Sequence, residues 1–267
     1  LEALKRSAAR RVRQIAANLE RLRWLNRPLG ARHVMVNIPG FRMALVEDGR
    51  AVFESRVIVG KPRHATAEFS DRLEFMVVNP YWNVPRSIVR EELLPALRKD
   101  PAHLIKKNME IVGIDTPSDS IAWEYVEPRD FPGRVRQRPG PGNALGRVKF
   151  MFPNEHAIYL HDTPQRHLFA RDGRAYSHGC VRVMKPQAFA HRLLADQVAD
   201  PEARFDEWLS RKGEVYVHLD SPVPVHITYR TAPVAPDGPD QFRGDIYGRD
   251  AAIARALEAA GLALPPA

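Results

Sequence analysis

Arg32-His-Val-Met-Val-Asn-Ile38, Phe41-Arg-Met-Ala-Leu-Val-Glu47 and Ala51-Val-Phe-Glu-Ser-Arg-Val-Ile-Val59 place apolar side chains at every second position over much of their length, with Asp48-Gly49 between the last two. Side chains of an extended chain alternate between two faces, so this period predicts strands that turn one face to a core. Asp-Gly accepts the positive φ angles of a tight hairpin turn, which pairs the second strand with the third. A fourth strand is expected over residues 73–79, after the polar turn at Gly60-Lys61-Pro62. The folded body therefore begins as a β-rich domain.

Outward from this block the pattern changes twice. Upstream, Leu1, Leu4, Ala8, Val12, Ile15, Leu19 and Leu22 follow steps of three and four, which is one face of a helix. Residues 1–30 also hold eight basic and two acidic groups, so six of the net eight positive charges of the 267-residue chain sit there. The remaining body is nearly neutral, which argues against a general nucleic-acid binder. This helix is expected either to pack its apolar stripe on the body with its arginines in solvent, or to dock on an anionic membrane surface or a partner. Downstream, residues 86–142 read as an insertion of helix and loop: a helix over 90–99, then Pro117, Pro128, Pro132, Pro139 and Pro141 with little periodicity. A connection this long is uncommon unless it is a lid or binding element.

Strands are expected again over 147–152, 157–161 and 181–184, helices over 186–197 and 201–211, and strands over 214–219 and 223–229. Pro236-Asp-Gly238 predicts a turn and residues 250–260 a closing helix. The division is a helix at 1–30, a main β-rich domain at 31–230 and an extension at 231–267. Composition agrees with a globular fold: 44% of residues are hydrophobic and 27% charged. No run of about 18 apolar residues is present to span a membrane, and no signal-peptide core precedes the helix. Leu1 in place of Met suggests a processed or truncated chain.

Cys180 is the only cysteine, which excludes an intrachain disulfide, a CxxC redox pair and a thiolate zinc cluster. It stands in the densest polar stretch, Ser177-His-Gly-Cys-Val-Arg182, a polar loop beyond Ile158-Tyr-Leu-His-Asp-Thr-Pro164. A thiol nucleophile needs nearby cations or N–H groups, access, and a base in reach. Gly179 leaves room for a carbonyl to approach and for N–H groups to turn inward. Two histidines compete as the base: His178, two residues away, and His161, at the end of a strand 19 positions earlier. The alternatives are a buried, inert cysteine, or a metal site drawing on His156, His161, His167, His178 and Asp162, whose spacing matches neither HExxH nor a CxxC ribbon. Asp162 taken alone could equally be a turn or cap residue.

His161-Asp-Thr-Pro164 with Ser177-His-Gly-Cys-Val-Arg182 resembles the catalytic signature of the L,D-transpeptidase (YkuD) family. Val36-Asn-Ile-Pro-Gly-Phe41, Val57-Ile-Val-Gly-Lys-Pro62, Asn79-Pro-Tyr-Trp-Asn-Val-Pro85 and Pro139-Gly-Pro-Gly-Asn-Ala-Leu-Gly146 are similar to the YcbB-type members, in which an insertion caps the site. Asn18-Leu-Glu-Arg-Leu-Arg-Trp24 and Asp245-Ile-Tyr247 extend the likeness to the flanks. Many family members have Gly where this chain has Asp162. Such relatives commonly carry an N-terminal anchor and a wall-binding module, neither of which is recognised in these residues.

The resemblance implies a mainly β, α+β fold of mixed sheets in sandwich form, with a helix-and-loop cap. It implies an enzyme of the periplasm or cell envelope, without cofactor or metal, that forms 3-3 crosslinks between peptidoglycan stem peptides. Cys180 would attack the carbonyl of a diaminopimelate in the donor stem and expel D-alanine, and an amine of the acceptor stem would resolve the thioester. His161 would be general base and acid, Asp162 its orienter through the main chain, and His178, Gly179 and Cys180 the oxyanion donors. Ser177 and Arg182 would position the loop or a substrate carboxylate. Tyr159 and Trp82 would line the cleft, or equally belong to the core. Carbapenems are the expected covalent inhibitors, and a partner of the first helix would be another wall enzyme. Two other functions use the same residues differently: a cysteine carboxypeptidase or endopeptidase with water as acceptor, and a wall-binding module without catalysis.

Overall fold

The computed structural model of the protein describes residues 7–25, 28–233 and 242–266. Helix α1 (Ala8–Trp24) starts at Ser7, whose Oγ accepts the Arg10 N–H and satisfies one of the helix's free donors. Strands β1 (Arg32–Asn37), β2 (Arg42–Glu47), β3 (Arg50–Gly60) and β4 (Phe69–Val78) follow. Asp48 (φ 47°) and Gly49 (φ 79°) both occupy the left-handed region, and β2 pairs antiparallel with β3 as the Asp-Gly turn predicts.

The next segment departs from the expected helix and loop. It holds β5 (Trp82–Asn83), α2 (Arg86–Ile88), a π-helical turn (Val89–Leu93), α3 (Leu94–Lys99), α4 (His103–Lys106), β6 (Met109–Val112) and β7 (Arg134–Gln137). The three strands form their own antiparallel sheet in the order β5-β7-β6. Beneath them Leu94, Leu97, Leu104, Trp123, Phe131 and Val135 form a separate apolar core. Two strands of four residues and one of two are too short to show a period, so the sequence hides them.

The main body resumes with β8 (Val148–Met151), β9 (Leu160–His161), β10 (Ala175–Ser177), β11 (Val181–Val183), α5 (Pro186–Leu194), α6 (Pro201–Ser210), β12 (Val215–Thr228) and α7 (Arg249–Ala259). Residues 214–219 and 223–229, expected as two strands, belong to one long strand. Its ladder against β4 is irregular between His218 and Val223, where Pro222 supplies no N–H. The large sheet is mixed, in the order β10-β3-β11-β9-β8-β4-β12-β1-β2, and the additional pairing of β2 with β3 makes it curl back on itself. Alternate residues fill its interior, among them Val34, Val36, Met43, Leu45, Val57, Met76, Phe150 and Val225. Phe189 of α5 and Phe205 of α6 join the same core, giving the α+β character.

Helix α1 corrects the first of the two expectations, that its apolar stripe packs on the body. Val12 (47%), Ile15 (37%), Leu19 (59%) and Leu22 (48%) are the exposed face, while Gln14, Ala17, Asn18 and Arg21 are buried. The reason lies in what the helix covers. The chain after β12 leaves backbone groups without a ladder, and these take polar side chains: Gln14 Nε2 donates to the carbonyls of Thr231 and Arg243, both at 2.8 Å. Asn18 donates to Thr231 Oγ1 at 2.7 Å and accepts the Thr231 N–H at 2.8 Å. Arginines expected in solvent are engaged too, Arg13 with Glu258 at 2.5 Å and Arg21 with Asp250 at 2.6 Å. Leu1 and Leu4 of the stripe and the turn expected at 236–238 lie outside the described residues.

The Arg21–Asp250 pair is nearly closed to solvent, with side chains 4% and 14% exposed. Removing one partner of a buried pair leaves the other charge uncompensated, which costs about 3–5 kcal/mol. Arg21→Ala is therefore expected to lower the unfolding free energy in urea by about that amount. A loss no larger than that of an exposed pair, about 0–1 kcal/mol, would show that α1 is dispensable to the body.

Candidate active site

Strands β9 and β11 run parallel and side by side, with Val181 opposite Leu160 and Arg182 opposite His161. Cys180 immediately precedes β11, so the ladder brings His161 and Cys180 to neighbouring strand ends although 19 residues separate them. The Val181 N–H donates to the Tyr159 carbonyl at 3.1 Å and continues the pairing past the strand. This juxtaposition comes from the sheet, not from the loop between the two segments.

His161 is buried, 5% exposed. Its Nδ1 lies 2.5 Å from the Asp162 carbonyl oxygen. A carbonyl only accepts, so Nδ1 carries the proton and Nε2 keeps a free lone pair. Burial, assisted by the positive charge of Arg182, lowers the His161 pKa to about 3, against a smaller upward pull from the Asp162 carbonyl. At neutral pH the ring is uncharged and able to take a proton.

The Asp162 carboxylate has a separate task. Oδ2 accepts the Arg147 N–H at 2.9 Å, and Oδ1 accepts the Thr163 N–H at 2.7 Å and Arg166 Nη1 at 3.2 Å. It thus clamps both chain segments flanking the histidine. Gly146 makes room for it: with φ 61°, a Cβ there would stand 2.3 Å from Asp162 Oδ2. The Asp162 side chain is thus accommodated by a glycine 16 positions earlier.

Cys180 is half-buried; its Sγ donates to the Ala157 carbonyl at 3.7 Å and is also approached by the N–H and hydroxyl of Tyr159. Burial pushes the thiol pKa up; the backbone N–H and hydroxyl of Tyr159, and then the charge of Arg182, act in the opposite direction. The resting site is a neutral thiol beside a neutral imidazole. No hydrogen bond joins them among the described residues. Tyr159 touches both: its ring centroid is 5.6 Å from that of His161, and its hydroxyl, whose pKa is pushed up by burial, interacts with Cys180.

Backbone hydrogen bonds set the loop before Cys180. Ser177 Oγ donates to the Cys180 carbonyl at 2.5 Å and accepts the Gly179 N–H at 3.1 Å. The Gly179 N–H, expected to face a substrate carbonyl, is therefore engaged by Ser177, because a serine two residues back closes a tighter ring than an outward-facing amide. Among the described residues the N–H groups of His178 and Cys180 have no such partner. Gly179 has φ 118°, a conformation that requires glycine. Its carbonyl accepts Thr66 Oγ1 at 2.8 Å, and Thr66 Oγ1 accepts the Gly60 N–H at 2.9 Å. Tyr247 completes this support by donating to the Gly60 carbonyl at 2.5 Å.

His178 points elsewhere. Its Nε2 is 2.8 Å from Glu92 Oε1 and 3.1 Å from Lys61 Nζ, and its ring lies 4.8 Å from that of His64. Burial lowers its pKa; Glu92 raises it, while Lys61 and His64 lower it. The nitrogen nearest in sequence to Cys180 is thus occupied by other side chains. Arg182 Nη1 donates to Gln165 Oε1 at 2.5 Å and holds the loop after His161.

Trp82 is the one expected site residue not placed here. It sits in β5 opposite Gln137 and packs on the core of the small sheet, because its alternation with Asn83 turns it inward. His156, His161, His167 and His178 do not converge: no group of three or more His, Cys, Asp or Glu among the described residues is placed to hold a metal. No helix among them is long and apolar enough to cross a membrane. Sequence reasoning missed Thr66, Glu92 and the roles of Lys61 and Tyr247. Lys61 and Tyr247 fall inside quoted motifs, whereas Thr66 and Glu92 carried no local signal, since the bond from Thr66 to Gly179 spans 113 residues.

Comparison with known proteins agrees with this geometry. A Haemophilus influenzae protein carrying the provisional name L,D-transpeptidase is 39% identical over 243 residues, which is 90% of this chain and 48% of the relative. The chain thus spans about half the length of that relative. Solved structures are more distant. L,D-transpeptidase 3 from Mycobacterium tuberculosis with a faropenem-derived adduct is 15% identical, with 74% of this chain and 60% of that one covered and a TM-score of 0.35. An L,D-transpeptidase from Mycobacterium smegmatis is 12% identical, covering 74% and 58%, with a TM-score of 0.34. The E. faecium catalytic domain acylated by ertapenem is 11% identical, covering 76% and 100%, with a TM-score of 0.31. The family model of the L,D-transpeptidase catalytic domain, YkuD, matches residues 31–225. A match that runs from the edge of β1 well into β12, spanning His161, the loop and Cys180, makes this chain a member of the YkuD family of L,D-transpeptidase catalytic domains.

Proposed function

We propose that the chain catalyses transfer between peptidoglycan stem peptides in the cell envelope, forming 3-3 crosslinks through a thioester on Cys180. The observation that carries this reading is the His161 tautomer: Nδ1 is committed to the Asp162 carbonyl, so a neutral Nε2 remains beside the cysteine strand. In the first half-reaction Sγ attacks the carbonyl of the donor's diaminopimelate while Nε2 takes the thiol proton. The C–N bond to D-alanine breaks, and the same proton leaves on its amine. In the second half-reaction an amine of the acceptor stem attacks the thioester and gives a proton to Nε2. The C–S bond breaks, and the sulfur recovers that proton. The N–H groups of His178 and Cys180 are oriented by the Ser177 and Thr66 supports to hold the oxyanion.

Residues 82–137 serve as the cap in this reading, resembling the YcbB-type members. Glu92 on the π-helical turn supplies the contact with the catalytic loop, through His178. Carbapenems are then expected to acylate the same sulfur. The experiment is mass spectrometry of the chain after incubation with a disaccharide tetrapeptide containing diaminopimelate, with and without an amine acceptor. The expected result is a thioester adduct lacking D-alanine, followed by a crosslinked product. Release of the tripeptide alone, whatever acceptor is present, would assign the site to a carboxypeptidase, and absence of any adduct or product would leave a binding module.

A further inference from the structure

The small sheet of the insertion walls a cavity of about 750 Å³. Five arginines line it: Arg86, Arg90, Arg129, Arg134 and Arg136. Residues 82–137 carry nine Lys or Arg and nine Asp or Glu, so the segment is neutral as a whole. The lining takes five of the nine cations and none of the nine anions. The charges are sorted, not merely abundant.

Pairing sharpens the point. Arg136 is matched by Glu110 at 2.5 Å and Arg129 by Asp130 at 3.4 Å. Arg86, Arg90 and Arg134 have no carboxylate within ion-pairing distance among the described residues. Like charges gathered at one concave surface raise its potential and draw anions to it. Guanidinium groups favour carboxylate and phosphate because their paired N–H groups match both oxygens of the anion. The floor is of another kind: Val84, Val89, Phe131 and Val135 line the cavity and are each less than 9% exposed. A cavity of a few hundred cubic ångströms with an apolar floor and a cationic rim fits a short ligand with aliphatic segments between its anionic groups.

The cavity also has a connection to the catalytic loop. Val89 and Arg90 lie on its wall and belong to the π-helical turn Val89–Leu93 that carries Glu92 to His178. Single π-helical turns inside helices recur at functional positions.

We propose that this cavity is a binding site for a stem peptide, held by its carboxylates on Arg86, Arg90 and Arg134 and separate from the stem that acylates Cys180. The identity of the peptide rests on the transferase reading above; the carboxylate chemistry of the site does not. The test uses isotope-labelled Cys180→Ala protein, which cannot be acylated, titrated with a diaminopimelate-containing stem tetrapeptide. Nuclear magnetic resonance signals of Val84, Val89, Phe131 and Val135 are expected to shift on binding. The shifts should require at least tenfold more peptide once its carboxylates are amidated, and likewise in the variant R86Q/R90Q/R134Q if circular dichroism shows it folded. Equal response to the amidated peptide would overturn the proposal without depending on any variant's folding, as would silence of these four residues. Equal response to a glutamate-rich peptide of the same length would assign the cavity to acidic protein segments instead and overturn the stem peptide. Acylation of the unmodified chain by the donor is measured separately, so a site that binds without transfer and a transfer that ignores the site give different results.

Discussion

Cys180→Ala is expected to accept no acyl group from a carbapenem, under conditions where the unmodified chain gains the mass of one equivalent. Cys180 is the only cysteine, so no other thiol can substitute and the loss should be complete. The substitution leaves the loop's supports in place. Ser177 and Thr66 bind the main chain at Cys180 and Gly179, not the sulfur. The sulfur itself has weak partners, a 3.7 Å contact with the Ala157 carbonyl and the polar groups of Tyr159, so folding should be preserved. An adduct of equal yield on the alanine variant would place the nucleophile elsewhere. The raised thiol pKa adds a second readout. Simple alkylation by iodoacetamide needs the thiolate, so its rate should be low at neutral pH and keep rising above the ordinary thiol range near pH 8.5. A rate already level at pH 6 would mean that a thiolate–imidazolium pair exists at rest.

His161→Ala is expected to slow acylation about 10²- to 10⁴-fold, the usual contribution of a positioned base. His178→Ala should keep a larger share of the rate, because its N–H, the part assigned to the oxyanion, survives the change. The two rings differ in commitment: the His161 Nδ1 proton is held by the Asp162 carbonyl, while His178 Nε2 faces Glu92 and Lys61. Single-turnover acylation with both variants folded decides between them. If His178→Ala is the slower, the roles are reversed. Stability offers an independent check. The folded His161 pKa near 3 lies below its unfolded value near 6.5, so between these limits the unfolded chain binds the extra proton. Unfolding free energy should therefore fall as pH drops from 6.5 toward 3, and fall less steeply in His161→Ala. Above pH 6.5 the two states bind alike at this group and it contributes no slope.

Much of the main sheet could be read along the chain. Period two placed β1, β2 and β3, and Asp48-Gly49 fixed their hairpin, because each of these signals lies within a few consecutive residues. The short strands of the insertion gave no such signal. Of the candidate site, Cys180, His161, Asp162, Ser177, Gly179 and Tyr159 do gather around one pair of strands. Trp82 does not, since the pattern that made it conspicuous is equally that of a core aromatic. The first helix misled for a related reason. Periodicity identifies the apolar face of a helix, but not which face a neighbour will demand, and here the neighbour was a stretch of unpaired backbone.

By itself the sequence determined most strands of the main sheet, the single candidate thiol and, through its motifs, the family. It left open which histidine serves that nucleophile, because two candidates at different distances along a chain are equivalent until a fold sets their distances in space. The parallel register of β9 and β11 supplies the spatial distinction by bringing His161 beside the cysteine strand. Glu92 and Lys61 add a second distinction by occupying His178 Nε2. Burial, the largest cause of the low His161 pKa and the raised Cys180 pKa, is likewise a property of the packed molecule. Desolvation depends on what surrounds a group in three dimensions, and no linear pattern contains that quantity.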